Sequence, residues 1–188
     1  MQLWNYLPNC LMENWPIWLV SAVLIAAAII DGWKLKVPNW LTFPFVFSGW
    51  IYSTAHFGWD GFGWSLGGTA VGLALLVPLY AIGGMGAGDV KLLAGVGAWV
   101  WSTVAFYAFC LSALFGGLIA LVMIFVRRGW RKHSNQLLAI IQEIWLIREP
   151  SQLSAIAAQR KSSMLLLPYG IPIAIGTITY FIWTGMLL

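Results

Sequence analysis

The sequence predicts an all-α, polytopic membrane protein with about six transmembrane helices in a single domain, residues 1–188. Three observations carry this expectation. The chain is 61% hydrophobic and 9% charged, against about 45–50% and about 25% in soluble domains. Several apolar runs approach the roughly 20 residues that a helix needs to cross a bilayer. Finally, all ten Lys and Arg residues fall in three stretches, 32–39, 83–91 and 127–166, which successive crossings return to one face.

The first span is expected at about 16–31, opened by Trp15-Pro16 and ended at Asp31-Gly32-Trp33-Lys34-Leu35-Lys36-Val37-Pro38-Asn39. The second, about 40–55, is rich in Trp and Phe, and a turn over 56–61 follows with aromatics that suit the membrane interface. The third covers about 63–82 and leads into the cluster Gly83-Gly84-Met85-Gly86-Ala87-Gly88-Asp89-Val90-Lys91. A short fourth span at about 90–101 and a fifth at about 103–126 meet at an indistinct boundary. Residues of the insertion at about 127–166, among them Leu137, Leu138, Ile141, Ile144 and Trp145, recur at helical spacing, predicting a cytoplasmic amphipathic segment on the membrane surface. The last span, about 167–187, starts at Leu167-Pro168-Tyr169-Gly170-Ile171-Pro172.

The distribution of positive charge sets the topology. With the first span running inward, every Lys and Arg is cytoplasmic or at the cytoplasmic edge, and both termini lie outside. The same distribution accounts for the net charge of +4 without a nucleic-acid partner. Met1 to Ile30 holds no Lys or Arg and no small-residue cleavage site, so a removable signal peptide is not expected. Cys10 and Cys110 have no CxxC spacing, which gives neither a zinc site nor a disulfide framework. Cys110 is expected to be a small buried hydrophobe. No metal or other cofactor is called for.

Two aspartates stand out. An ionisable side chain at membrane depth is costly and marks a functional site by default, and a glycine cluster opens non-helical backbone where protein or water must satisfy it. Two complete spans separate Asp31 from Asp89, so both carboxylates return to the cytoplasmic face. Carboxylates that approach closely share a proton. Such a pair can activate water with one member and polarise a carbonyl with the other. The glycines would leave bare backbone on which an extended peptide could pair. Simpler roles compete. Gly84/Gly88 and Gly68/Gly72 have the spacing of close helix packing. Asp31 could anchor a helix end near Lys34 and Lys36, Asp89 could cap the fourth span, and Lys91 could be a snorkelling anchor. His56 and His133 read as interfacial or solvated, and the aromatics as lipid-facing packing and belt.

The segment Asp31 to Leu41 and the segment Gly86-Ala87-Gly88-Asp89-Val90-Lys91-Leu92-Leu93 together resemble the two signature segments of the type IV prepilin peptidases. These are bacterial inner-membrane aspartic proteases of the GxGD type. Pro168 to Gly176 is similar to the family's last span. The resemblance implies that Asp31 and Asp89 are the catalytic pair, and that Gly86, Gly88 and Lys91 are substrate-side motif residues. It implies prepilin or pseudopilin substrates, cut at the cytoplasmic membrane surface between a short basic leader and an apolar helix. Pilus or secretion assembly machinery would be the partners, and the bacterial inner membrane the location. Long members carry paired cysteines in an extra cytoplasmic domain and also methylate the new N-terminus. The sequence here is similar instead to the short form of tight-adherence (Flp-type) systems, and methyltransfer is not expected. Where the family often has Arg in its first segment, this chain has Lys34 and Lys36, which keep charge without bidentate geometry. A small transporter or proton-coupled channel is the alternative, since intramembrane carboxylates and broken helices mark those too; it would predict an internal repeat, and none is visible. A third possibility is an inactive scaffold of a secretion system.

Overall fold

Pro and Gly punctuate this chain, and the helices follow them. The computed structural model describes residues 15–81, 85–126 and 168–187. The lead-in 1–14, Gly83, Gly84 and the expected amphipathic segment lie outside these residues. Four helices are present among the described residues: α1 (Trp15–Lys34), α2 (Asn39–Ala81), α3 (Ala87–Val126) and α4 (Gly170–Trp183). There are no strands among the described residues. The helices α1, α2 and most of α3 (Ala87–Met123) are each long and apolar enough to cross a bilayer. This is an integral, all-helical membrane protein.

Pro16 sits in the first turn of α1, where its missing N–H costs nothing. The helix runs about one turn further than the sequence suggests, so Asp31 lies inside its last turn rather than after it. Leu35 ends it in the left-handed conformation (φ 50°), with its N–H on the Asp31 carbonyl at 2.8 Å. Val37 is buried, Pro38 stops any continuation, and α2 begins at once.

Where the sequence places separate spans two and three, the structure has one helix interrupted at Gly58 (φ 62°, ψ −146°). The expected boundary between spans four and five falls on a second interruption, at Trp101 (φ 64°, ψ −178°). A tryptophan held in left-handed backbone is costly and has to be fixed by its surroundings. Its ring packs edge-on against Trp64 and Phe57, both flanking the other break.

The α2–α3 interface is built on glycine. Gly68 faces the backbone of Gly97, Gly72 faces Leu93 and Ala94, Gly95 faces the Phe45 ring, and Gly49 faces Ala98 and Trp99. A Gly68/Gly72 packing role is therefore observed, the small-residue contact that membrane helices use to bring backbones together. Cross-helix bonds from Trp99 Nε1 to the Phe45 carbonyl (2.9 Å) and from Ser65 Oγ to the Ala98 carbonyl fix the register. Not all aromatics face lipid: Phe45, Tyr52 and Trp99 stack inside, with Tyr52 and Trp99 centroids 5.0 Å apart. Cys110 differs from expectation in the other direction. It is exposed, on the outer face of α3, because the inner face there is taken by Ala108 and Ser112.

α4 packs between α1 and α3, and α1 touches α2 only slightly. Gly176 meets Ser112 of α3, and Gly116 of α3 meets Tyr169 and Pro172 at the start of α4.

Candidate active site

Asp31 is 2% exposed, on the buried face of α1. A carboxylate in the last turn opposes the negative end of its own helix dipole. Compensation comes from α4, whose first residue, Gly170, donates its N–H to Asp31 Oδ2 at 2.8 Å. Asp31 thus meets the positive end of a second helix.

Asp89 is 4% exposed. It is not the N-cap of its helix. With α3 starting at Ala87, Asp89 is the third helical residue and reaches back to the N–H of Gly86 (Oδ2, 3.1 Å), while its own N–H donates to the Gly86 carbonyl (3.2 Å). That is the side-chain half of a capping box with Asp in the third position; Gly86, having no side chain, closes the turn through its carbonyl. A Cβ on Gly86 would stand 3.3 Å from the same Oδ2.

The two signature segments are clasped together. Gly88 presses on the backbone of Val37, and Lys91 Nζ donates to Asn39 Oδ1 at 2.9 Å while lying 4.5 Å from the Phe43 ring centroid. Lys91 therefore bridges the start of α3 to the start of α2. Gly88 is in contact with protein and is not open backbone. The five residues named from the sequence fall into two neighbourhoods, Asp31 under α4 and Gly86, Gly88, Asp89 and Lys91 at the α3 start. The step Tyr169–Gly170 is joined to the first, since Gly170 holds Asp31, and the Asp89 carboxylate contributes to the electrostatics of the Tyr169 phenol. Sequence reasoning missed Val37, Asn39, Tyr169 and Gly170 as site residues. The signal for the last pair is the Pro168-Tyr169-Gly170-Ile171-Pro172 punctuation, which by sequence marks the start of a span similar to the family's last one.

A groove of about 890 Å³ runs between α1 and α4, with Ile25, Ala28 and Ile29 on one wall and Ile171 and Ile175 on the other. Gly32 and Trp33 also line it, whereas Asp31 does not. Among the described residues no three His, Cys, Asp or Glu side chains group to hold a metal ion.

The profile of the type IV leader peptidase family matches residues 18–121, more than half of the chain and a stretch that includes both aspartates. The chain belongs to the type IV leader peptidase family. Curated relatives include prepilin leader peptidase/N-methyltransferases of Aeromonas hydrophila and Aeromonas salmonicida, each 32% identical over 116 residues. The match covers 58% of this chain and 40% of each relative, so this leader peptidase family member spans less than half the length of those proteins. No solved structure matches it significantly. The family match ends before α4 begins, so what α4 contributes to the site is seen in the structure alone.

Proposed function

We propose that the chain is a membrane aspartic endopeptidase that removes the leader peptide of type IV prepilins or pseudopilins, with Asp31 and Asp89 activating water. The observation that carries the reading is the convergence of two distant segments: the Val37–Asn39 stretch after Asp31 is clasped to Gly88 and Lys91 beside Asp89. Both carboxylates are buried, and both accept a backbone N–H.

In the proposed reaction one carboxylate is ionised and takes a proton from water as it attacks the scissile carbonyl. The other, protonated, polarises that carbonyl and then delivers its proton to the departing amine. The pair ends with its proton exchanged, needing no covalent intermediate. Gly86, Gly88 and Lys91 are assigned to the substrate side. Gly86 is the bare backbone beside Asp89, and Gly88 and Lys91 shape the loop through Val37 and Asn39. We place the two carboxylates at the cytoplasmic face of the bacterial inner membrane, in a six-span topology with both termini outside and pilus or secretion machinery as the wider partner. The breaks at Gly58 and Trp101 support six segments by dividing two long helices. N-methyltransfer, the second activity in the relatives' names, is left out of the proposal.

The test is co-expression with candidate prepilins, following the size of the pilin. Cleavage by the wild-type chain, lost in Asp31→Asn and in Asp89→Asn, is the expected result. Normal processing by either variant would sink the two-aspartate mechanism.

A further inference from the structure

A helix opens with backbone N–H groups that have no acceptor inside it. In the first turn of α4 these are disposed of one by one. Ile171 N–H donates to the Pro168 carbonyl at 3.2 Å. Pro172 has no N–H to place. Ile173 N–H makes the first regular helical bond, to the Tyr169 carbonyl at 3.1 Å. Gly170 N–H is left, and it goes to Asp31 Oδ2. Tyr169, at the cap position, makes no side-chain capping bond, so a carboxylate from another helix performs that task.

The fit around this bond is steric as well as polar. A Cβ on residue 170 would stand 2.9 Å from Asp31 Oδ2, 3.0 Å from Asp31 Cβ and 3.2 Å from Asp31 Cγ. An added Cβ would crowd the carboxylate at its bond to the backbone, and Asp31 would have to shift. The preceding residue is held from the other side: the Tyr169 ring and Pro172 both lie against Gly116 of α3, each about 3.5 Å from where a Cβ on that glycine would be. The same turn is therefore fixed on two sides, by Asp31 of α1 and by Gly116 of α3.

We propose that Tyr169 and Gly170 are positioning residues for Asp31. The first turn of α4 fixes Asp31 through the Gly170 N–H, and the Tyr169 ring packed on Gly116 seats that turn on α3, so the carboxylate is held in place while α4 is seated on α1 and α3. Neither residue touches the substrate; both act through Asp31. The proposal rests on the peptidase reading above.

The test uses the full chain in proteoliposomes, with a prepilin that the wild-type chain cleaves, and follows kcat, KM and thermal unfolding. Tyr169→Leu removes the ring packed on Gly116 and loosens the turn that carries the Gly170 N–H. It is expected to lower kcat about tenfold with KM held, and Tyr169→Phe, which keeps the ring, to retain the wild-type kcat. Gly170→Ala keeps the N–H and displaces Asp31, and is expected to lower kcat by about tenfold to 10²-fold, approaching the scale of a misplacement near 1 Å. Gly117→Ala, whose added Cβ meets nothing within 4 Å, is the control and keeps kcat. A wild-type kcat in folded Tyr169→Leu or folded Gly170→Ala, or a loss carried wholly by KM, overturns the proposal. If Gly170→Ala does not fold, Tyr169→Leu decides, with Tyr169→Phe as its rescue. A wild-type chain that cleaves no prepilin in a broad panel removes the peptidase reading itself, a different failure.

Discussion

Gly88 of α3 and Val37 of the α1–α2 connection meet at the level of the main chain: a Cβ on Gly88 would lie 2.5 Å from the Val37 carbonyl oxygen and 2.9 Å from the Val37 Cβ. Neither neighbour is the free end of a flexible side chain, so an added methyl has to push the two segments apart. Gly88→Ala is expected to destabilise the protein by about 1–3 kcal/mol and to cut prepilin processing by about 10²-fold or more. Unfolding and processing measured on the same preparation check both. Unchanged processing in a stable variant would show that this contact does not set the site.

The carboxylates can be neutralised with little loss of fold. Asn at position 31 or 89 still offers an oxygen to the N–H of Gly170 or Gly86, the partners of the two aspartates. Removing the ionisable group alone should lower the cleavage rate by about 10²–10⁴-fold, the usual weight of a general acid or base. The unfolding temperature should stay close to wild type. A melt lowered in step with the rate would point to a structural origin for the loss.

The two ends of the clasp should be coupled. Lys91 Nζ bonds Asn39 Oδ1 at 2.9 Å and lies over Phe43. Lys91→Met and Asn39→Ala in a double-mutant cycle are expected to show about 0.5–1 kcal/mol of interaction energy. Strict additivity would mean that the bond contributes nothing measurable.

Glycines on one helix should separate by what faces them. Gly68→Ala drives a methyl into the backbone of Gly97 and should destabilise by about 1–3 kcal/mol or more. Gly67→Ala, one residue away with nothing within 4 Å, should instead stabilise by up to about 1 kcal/mol, because alanine is the better helix former. Thermal unfolding of the two variants side by side gives the sign of each.

The helical class, the breaks and the two aspartates are legible because each leaves a local trace: an apolar run, a Pro or Gly, a charge among hydrophobes. Trp101 shows the limit. Nothing in its chemistry signals left-handed backbone, and the interruption there is held by Trp64 and Phe57, contacts made across helices. Lys91 reads from sequence as an anchor or a substrate-side residue because spacing cannot show that Asn39, 52 residues away, lies within hydrogen-bond reach. The same holds for Cys110, whose type favours burial but whose face of α3 is turned outward. Gly170 was in view as punctuation. Its partner across the fold was not, since a backbone N–H has no sequence signature.

That partnership also has a time order. Asp31 and Gly170 are 139 residues apart, and ribosomes make the first long before the second. Both aspartates are already in the chain when Tyr169 and Gly170 have yet to be added. A nascent chain therefore holds two acids before the turn that supplies Asp31 its donor, and that donor comes from a helix made after both.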